Sequence, residues 1–141
     1  MTDVARAVST FIPGELRIIV PGPPRSKGRP RLAANGGTYT PKTTRSYELH
    51  VRTCALAASM RCSWRRSAEH RYAVTVALYM PNERRVDLDN LAKSQLDALN
   101  WLIFVDDSQI DELHVYKRID REKPRAEVTV RILLADRETV R

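Results

Sequence analysis

The ten residues Arg71–Met80, RYAVTVALYM, constrain the fold more than any other stretch. Tyr72, Val74, Val76, Leu78 and Met80 share one face of an extended chain, and Ala73, Thr75, Ala77 and Tyr79 share the other. Such a strand must be covered on both sides, which places it in the middle of a sheet. Pro81-Asn82 ends it, and the next regular pattern is helical. Leu88, Leu91, Ala92, Gln95, Leu99 and Leu102 recur at three and four, which predicts an amphipathic helix from Asn90 to about Asn100.

The flanks supply the other elements. Leu16, Ile18 and Val20 alternate and predict a first strand over 15–20, preceded by a mobile arm over 1–14 that carries no long apolar segment behind a basic start. Asn35-Gly36-Gly37 predicts the turn of a small hairpin entering Thr38-Tyr39-Thr40. A helix is predicted from Pro41 to Met60, capped by Thr43 or Thr44, with Tyr47, Val51, Cys54 and Ala58 as its core stripe. Leu113–Ile119 and Ala126–Leu134 alternate on either side of the polar turn Asp120–Pro124 and predict two antiparallel strands forming a hairpin. The expectation is an α/β (α+β) domain over 15–141, a small mixed sheet with two main helices. No run of about 20 apolar residues is present to span a bilayer, and Cys54 and Cys62 match no metal spacing, so free thiols in the cytoplasm are expected.

Charge points to the partner. The formal net charge is +7, yet Arg17–Arg71 holds twelve Lys/Arg against two acids, while Tyr72–Arg141 holds eleven against thirteen. A basic half beside clustered acids suits a polyanion such as nucleic acid. Arg25, Lys27, Arg29 and Arg31 stand two apart in a run broken by four prolines and two glycines between Pro21 and Pro30. Extended, they would line up against phosphates; a disordered basic loop fits the same residues. Lys42, and the link holding Arg65 and Arg66 around Trp64, are further candidate DNA contacts.

The acids are the candidate chemistry. Asp87 and Asp89 precede the second helix, and Asp106 and Asp107 follow its far end. Capping accounts for Asp89, the expected N-cap, and leaves the other three unexplained. A hard cation removes the mutual repulsion of such carboxylates, and Mg²⁺ takes a few of them while keeping waters and substrate phosphate. Lys93 lies four residues from both Asp89 and Asp97, either as a surface ion pair or as an ammonium beside the cation. Arg84 and Arg85 could hold flanking phosphates. His50, His70 and His114 have no ligand spacing; Trp64, Trp101 and Phe104 could stack on bases, or pack in a core or dimer contact in the case of Trp101 and Phe104.

RVDLDNLAKSQLDAL followed by F-x-DD-x-Q-I, with the PGPPRSKGRPR run and TYTPK, resembles the RusA-type Holliday-junction resolvases of phage and prophage origin. The resemblance implies a Mg²⁺-dependent endodeoxyribonuclease (Mn²⁺ as a substitute) acting in DNA recombination and repair. It would cut four-way DNA in paired, symmetric fashion as a homodimer, leaving 5′-phosphates. It implies Asp87, Asp89 and Asp107 as metal ligands and catalytic residues, Asp106, the third ligand's acidic neighbour, as a further metal-site residue, and Lys93 as the catalytic lysine. The connector Asn100–Val105 departs from the family in lacking a glycine. Two rivals stand beside this reading: a non-catalytic DNA-binding module, and a nuclease for flaps, forks or RNA hybrids.

Overall fold

The computed structural model describes residues 14–28, 31–39 and 41–134. The predicted arm therefore lies, apart from Gly14, outside the described residues. In chain order the elements are β1 (Glu15–Pro21), β2 (Arg31–Leu32), β3 (Thr38–Tyr39), α1 (Lys42–Arg61), β4 (Arg71–Met80), α2 (Leu88–Leu99), a 3-10 turn (Asp107–Gln109), β5 (Ile110–Ile119) and β6 (Arg125–Leu133). Four strands form one mixed sheet in the order β1-β6-β4-β5, and β2-β3 form a separate hairpin. The fold class is the α+β arrangement expected.

β4 is central, as its two apolar faces require: it pairs antiparallel with β6 and parallel with β5. The row Tyr72, Val74, Val76, Leu78 and Met80 is buried with Leu16, Ile18 and Val20 of β1 and Ala126, Val128 and Val130 of β6. α1 packs on β1 and α2, and α2 packs against β4 and β5, so both helices cover this face. α1 turns Tyr47, Val51, Ala55 and Ala58 inward, with Cys54 partly buried beside them, close to the stripe read from the sequence.

Three expectations need correction. β5 and β6 are not a hairpin, because β4 lies between them and the turn after Ile119 passes its end. There the Asp120 amide donates to the Met80 carbonyl at 2.8 Å. An apolar strand takes both neighbours, and β5, with Asp111, Glu112, His114 and Arg118 exposed, suits the edge. α1 is capped by Pro41 with no side-chain cap hydrogen bond; Thr44 is instead buried and accepts from the Gly28 amide at 2.9 Å. α2 starts earlier than predicted: Asp87 is its N-cap and Asp89 lies in its first turn. No helix among the described residues is long and apolar enough to cross a membrane.

Candidate active site

The route from β4 to β5 carries the acids. After Met80 the chain runs to Val86, whose carbonyl accepts from Lys117 Nζ of β5 at 2.9 Å. That bond fixes the backbone just ahead of Asp87, and it gives a role to the one cation that breaks the apolar row of β5. Asp87 at the N-cap makes no side-chain cap hydrogen bond, so capping does not occupy its carboxylate.

Beyond α2 the connector closes on itself. The amides of Leu102 and Ile103 donate to the Leu99 carbonyl, and that of Trp101 to Phe104 at 2.8 Å. Trp101 takes a left-handed φ of +68°, where glycine would be unstrained. Phe104 is fully buried against Tyr72, and Trp64 Nε1 donates to the Ile103 carbonyl at 2.8 Å. Trp101, for which core or dimer packing was the expectation, is 65 % exposed with the Arg66 guanidinium 5.7 Å from its ring centroid.

The Asp-Asp-x-Gln sequence is a capping box. Asp106 Oδ2 accepts from the Ser108 amide at 3.0 Å. The Ser108 hydroxyl first, and this amide second, hold the Asp106 carboxyl below the usual carboxylate range. The Gln109 side chain accepts from the Asp106 amide at 3.1 Å and the Val105 amide at 2.9 Å. Its amide nitrogen donates to the carbonyls of Ser67 at 2.7 Å and His70 at 2.9 Å. Asp106 is thus a cap rather than a cavity-facing acid, and Gln109, whose role was not read from the sequence, sets the turn that presents Asp107.

One cavity of about 620 Å³ between α2 and β5 is lined by Asp87, Asp89, Lys93, Asp97 and Asp107 over an apolar floor that includes Leu113 and Val115. The four acidic positions and the lysine, separated by up to twenty residues, meet there. Lys93 Nζ lies 3.8 Å from Asp97 Oδ2, and Lys27 Nζ from the basic loop lies 2.5 Å from the same oxygen. Asp97 holds Lys27 above the ordinary lysine range. Asp97 is therefore balanced by two lysines, while Asp87, Asp89 and Asp107 have no ion pair among the described residues. The donors are all carboxylate oxygens, the set that suits Mg²⁺ or Mn²⁺. Among the described residues no three Asp, Glu, His or Cys side chains converge into a ready-made cage. Asp87, Asp89 and Asp107 line the same cavity without closing on one point, so a cation shared by all three would draw them together with water and substrate phosphate completing its shell.

The basic run is ordered against this cavity where it is described. The Lys27 carbonyl accepts from Asn90 Nδ2 at 3.2 Å. A Cβ at Gly28 would lie 2.7 Å from Thr44 Oγ1 and 3.2 Å from Pro41 Cγ, so the loop approaches α1 as only glycine can. Lys27 therefore faces α2 instead of standing in an exposed row. Arg29 and the side chain of Arg31 lie outside the described residues. Arg25, Lys42, Arg65, Arg66, Arg84 and Arg85 are exposed. None of the three histidines lines the cavity.

The family model for "Endodeoxyribonuclease RusA" matches residues 21–131. The "Crossover junction endodeoxyribonuclease RusA" of Shigella sonnei is 29 % identical over 121 residues, 80 % of this chain and 91 % of the relative. The corresponding protein of Enterobacteria phage 82 is 28 % identical over the same shares. The uncharacterized Bacillus subtilis protein YqaN is 51 % identical over 45 residues, 32 % of this chain and 31 % of the relative.

Proposed function

The chain belongs to the RusA endodeoxyribonuclease family, and we propose that it is a Mg²⁺-dependent enzyme that resolves four-way DNA junctions by paired, symmetric phosphodiester cleavage. The observation that carries the reading is the one cavity lined by Asp87, Asp89, Asp107 and Lys93, with three of its four carboxylates free of a cationic partner among the described residues. Asp87, Asp89 and Asp107 would hold the cation, which when bound supplies an activated water and positive charge against the phosphate. Mn²⁺ is expected to substitute for it.

Lys93 acts as an ammonium at the cavity wall, against the charge that grows on the phosphoryl oxygens. Asp97 restrains it, and Lys117 with Gln109 fixes the two backbone segments that carry the acids. Arg25, Arg65, Arg66, Arg84 and Arg85 draw in DNA through its phosphates. Two symmetric cuts call for a two-fold dimer. The setting is recombination and repair in the cytoplasm.

The test is cleavage of a synthetic four-way junction beside flap, fork and plain duplex substrates, with Mg²⁺ and with EDTA. The expected result is Mg²⁺-dependent paired nicking of the junction in preference to the others, abolished by Asp87→Asn. Wild-type cleavage by Asp87→Asn would overturn the mechanism, and equal cleavage of all branched substrates would overturn the substrate assignment.

A further inference from the structure

A second cavity, of about 370 Å³, is lined by the segment that leads into Asp87. It is bounded by Pro24, Arg25 and Ser26 of the proline-rich loop, Thr43 at the start of α1, and Arg84 and Val86 of the segment after β4. Val86 lines this cavity and Asp87 lines the carboxylate cavity, and the two sets of lining residues share no member. The two cavities are of opposite sign. The first holds four aspartates with Lys93, whereas among the described residues the ionisable side chains lining the second are Arg25 and Arg84.

Neither guanidinium has a carboxylate partner among the described residues, although Arg71, Arg121 and Arg125 do. Two arginines from segments 59 residues apart, without a carboxylate partner among the described residues, line one small cavity. Arginine presents a planar fork of donors matched to phosphate oxygens, and the hydroxyls of Ser26 and Thr43 add neutral donors at the same wall. Hydrogen bonds restrain the backbone segments that carry the two arginines. Lys27 is tied to Asp97, Gly28 to Thr44, and the Arg84 amide donates to Asn82 Oδ1 at 3.0 Å. A preformed site loses less entropy on binding than a mobile basic loop would.

We propose that Arg25 and Arg84 together grip one backbone phosphate of the DNA strand, flanking the phosphate held at the carboxylate cavity. The proposal rests on the reading of the chain as a junction endonuclease, and it assigns to a single phosphate two arginines that a basic composition would spread over several. The strand then runs along the segment 84–87, with one phosphate at each cavity. Seating the flanking phosphate fixes which phosphodiester reaches the acids.

The experiment is equilibrium binding of a fluorescent four-way junction in EDTA, which separates binding from cleavage, over a series of salt concentrations. The proteins are the wild type, Arg25→Gln, Arg84→Gln, the double variant, and Arg131→Gln as a control for lost charge elsewhere. Each single variant is expected to bind about tenfold more weakly, the size of one charge-assisted contact. The double variant is expected to bind much less than a hundredfold more weakly, because the contacts are coupled through one ligand. The slope of log K against log salt should fall by about 0.9 in the double variant as in the singles, the value for one phosphate. Arg131→Gln should leave both quantities near wild type.

Multiplying effects with a slope loss of about 1.8 would overturn the proposal by assigning the arginines to separate phosphates. Wild-type binding by both single variants would overturn it outright while leaving the nuclease reading intact. Failure of the unsubstituted protein to bind any junction would overturn that reading and the proposal with it. Unchanged far-UV circular dichroism and melting of the exposed-arginine variants confirm that lost binding is not lost fold.

Discussion

Replacing Gln109 with methionine keeps the length of the side chain and removes its amide. In the folded chain that amide uses both lone pairs and both N–H groups, on the amides of Val105 and Asp106 and the carbonyls of Ser67 and His70. The side chain is 5 % exposed, so water cannot replace these partners without opening the turn. At roughly 1 kcal/mol per hydrogen bond, and allowing for partial hydration of the partners, Gln109→Met should lose about 3 kcal/mol. For a domain of this size that is a fall in Tm of roughly 10 °C. Urea unfolding followed by tryptophan fluorescence measures it, with an unchanged m-value showing that the unfolded state is not responsible. Because the same amide sets the turn that carries Asp107, junction cleavage at a temperature where the variant is fully folded should fall by tenfold or more, consistent with the cost of misplacing a group by about 1 Å. A stability loss below about 0.5 kcal/mol, which is the range of an ordinary surface substitution, would refute the hydrogen-bond reasoning. Lost stability with wild-type cleavage of the folded variant would refute the positioning of Asp107 by Gln109.

Gly28→Ala should destabilise by about 1–3 kcal/mol, the cost of forcing a methyl group onto Thr44 and Pro41, and thermal melting would read it. Trp101→Gly should melt within about 1 kcal/mol of wild type, since relief of the left-handed φ offsets the loss of an exposed ring, whereas the β-branched Trp101→Val should melt lower. Asp97→Asn removes the partner of Lys27 and should cost about 1 kcal/mol at neutral pH, since both side chains are partly exposed. Lys27 is raised in the folded state, so that contribution is fully present below the unfolded lysine value of about 10.4 and is lost as pH rises through the higher folded value. The Tm difference between wild type and Asp97→Asn should therefore hold constant through pH 9 and narrow only in the strongly alkaline range; narrowing below pH 9 would show that Lys27 is not what Asp97 stabilises.

The parts of the fold legible in the sequence are those where one period dominates. β4 is apolar on both faces, β1 alternates cleanly and α2 repeats at three and four, and each lies where its pattern put it. The pairing of β5 was not legible, because alternation says which face a strand buries and nothing about which neighbour it takes. Helix starts were misjudged for a related reason. Thr44 has the chemistry of a cap but is drawn away by the Gly28 amide, a long-range contact that no local pattern records.

In the site, Asp87, Asp89, Lys93 and Asp107 were readable from spacing and resemblance, and the structure gathers them at one cavity. Asp97 looked like an i,i+4 partner of Lys93, and only the folded chain shows that it also takes Lys27, 70 residues away. Gln109 and Lys117 were missed as site residues because each acts on backbone, where side-chain type carries little signal. The connector without a glycine takes a left-handed φ at Trp101, and Asp107 lines the same cavity as Asp87.

The proposed chemistry requires Asp87, Asp89 and Asp107 to serve one divalent cation. Mn²⁺ binding followed by electron paramagnetic resonance on the protein with an uncleavable junction tests it without reference to turnover. Saturable binding by the wild type is expected, weakened at least tenfold by Asp87→Asn and equally by Asp107→Asn, with Asp106→Asn close to wild type. Wild-type Mn²⁺ affinity in Asp107→Asn would contradict it, because the connector would then have returned Asp107 to the cavity without bringing it to the metal.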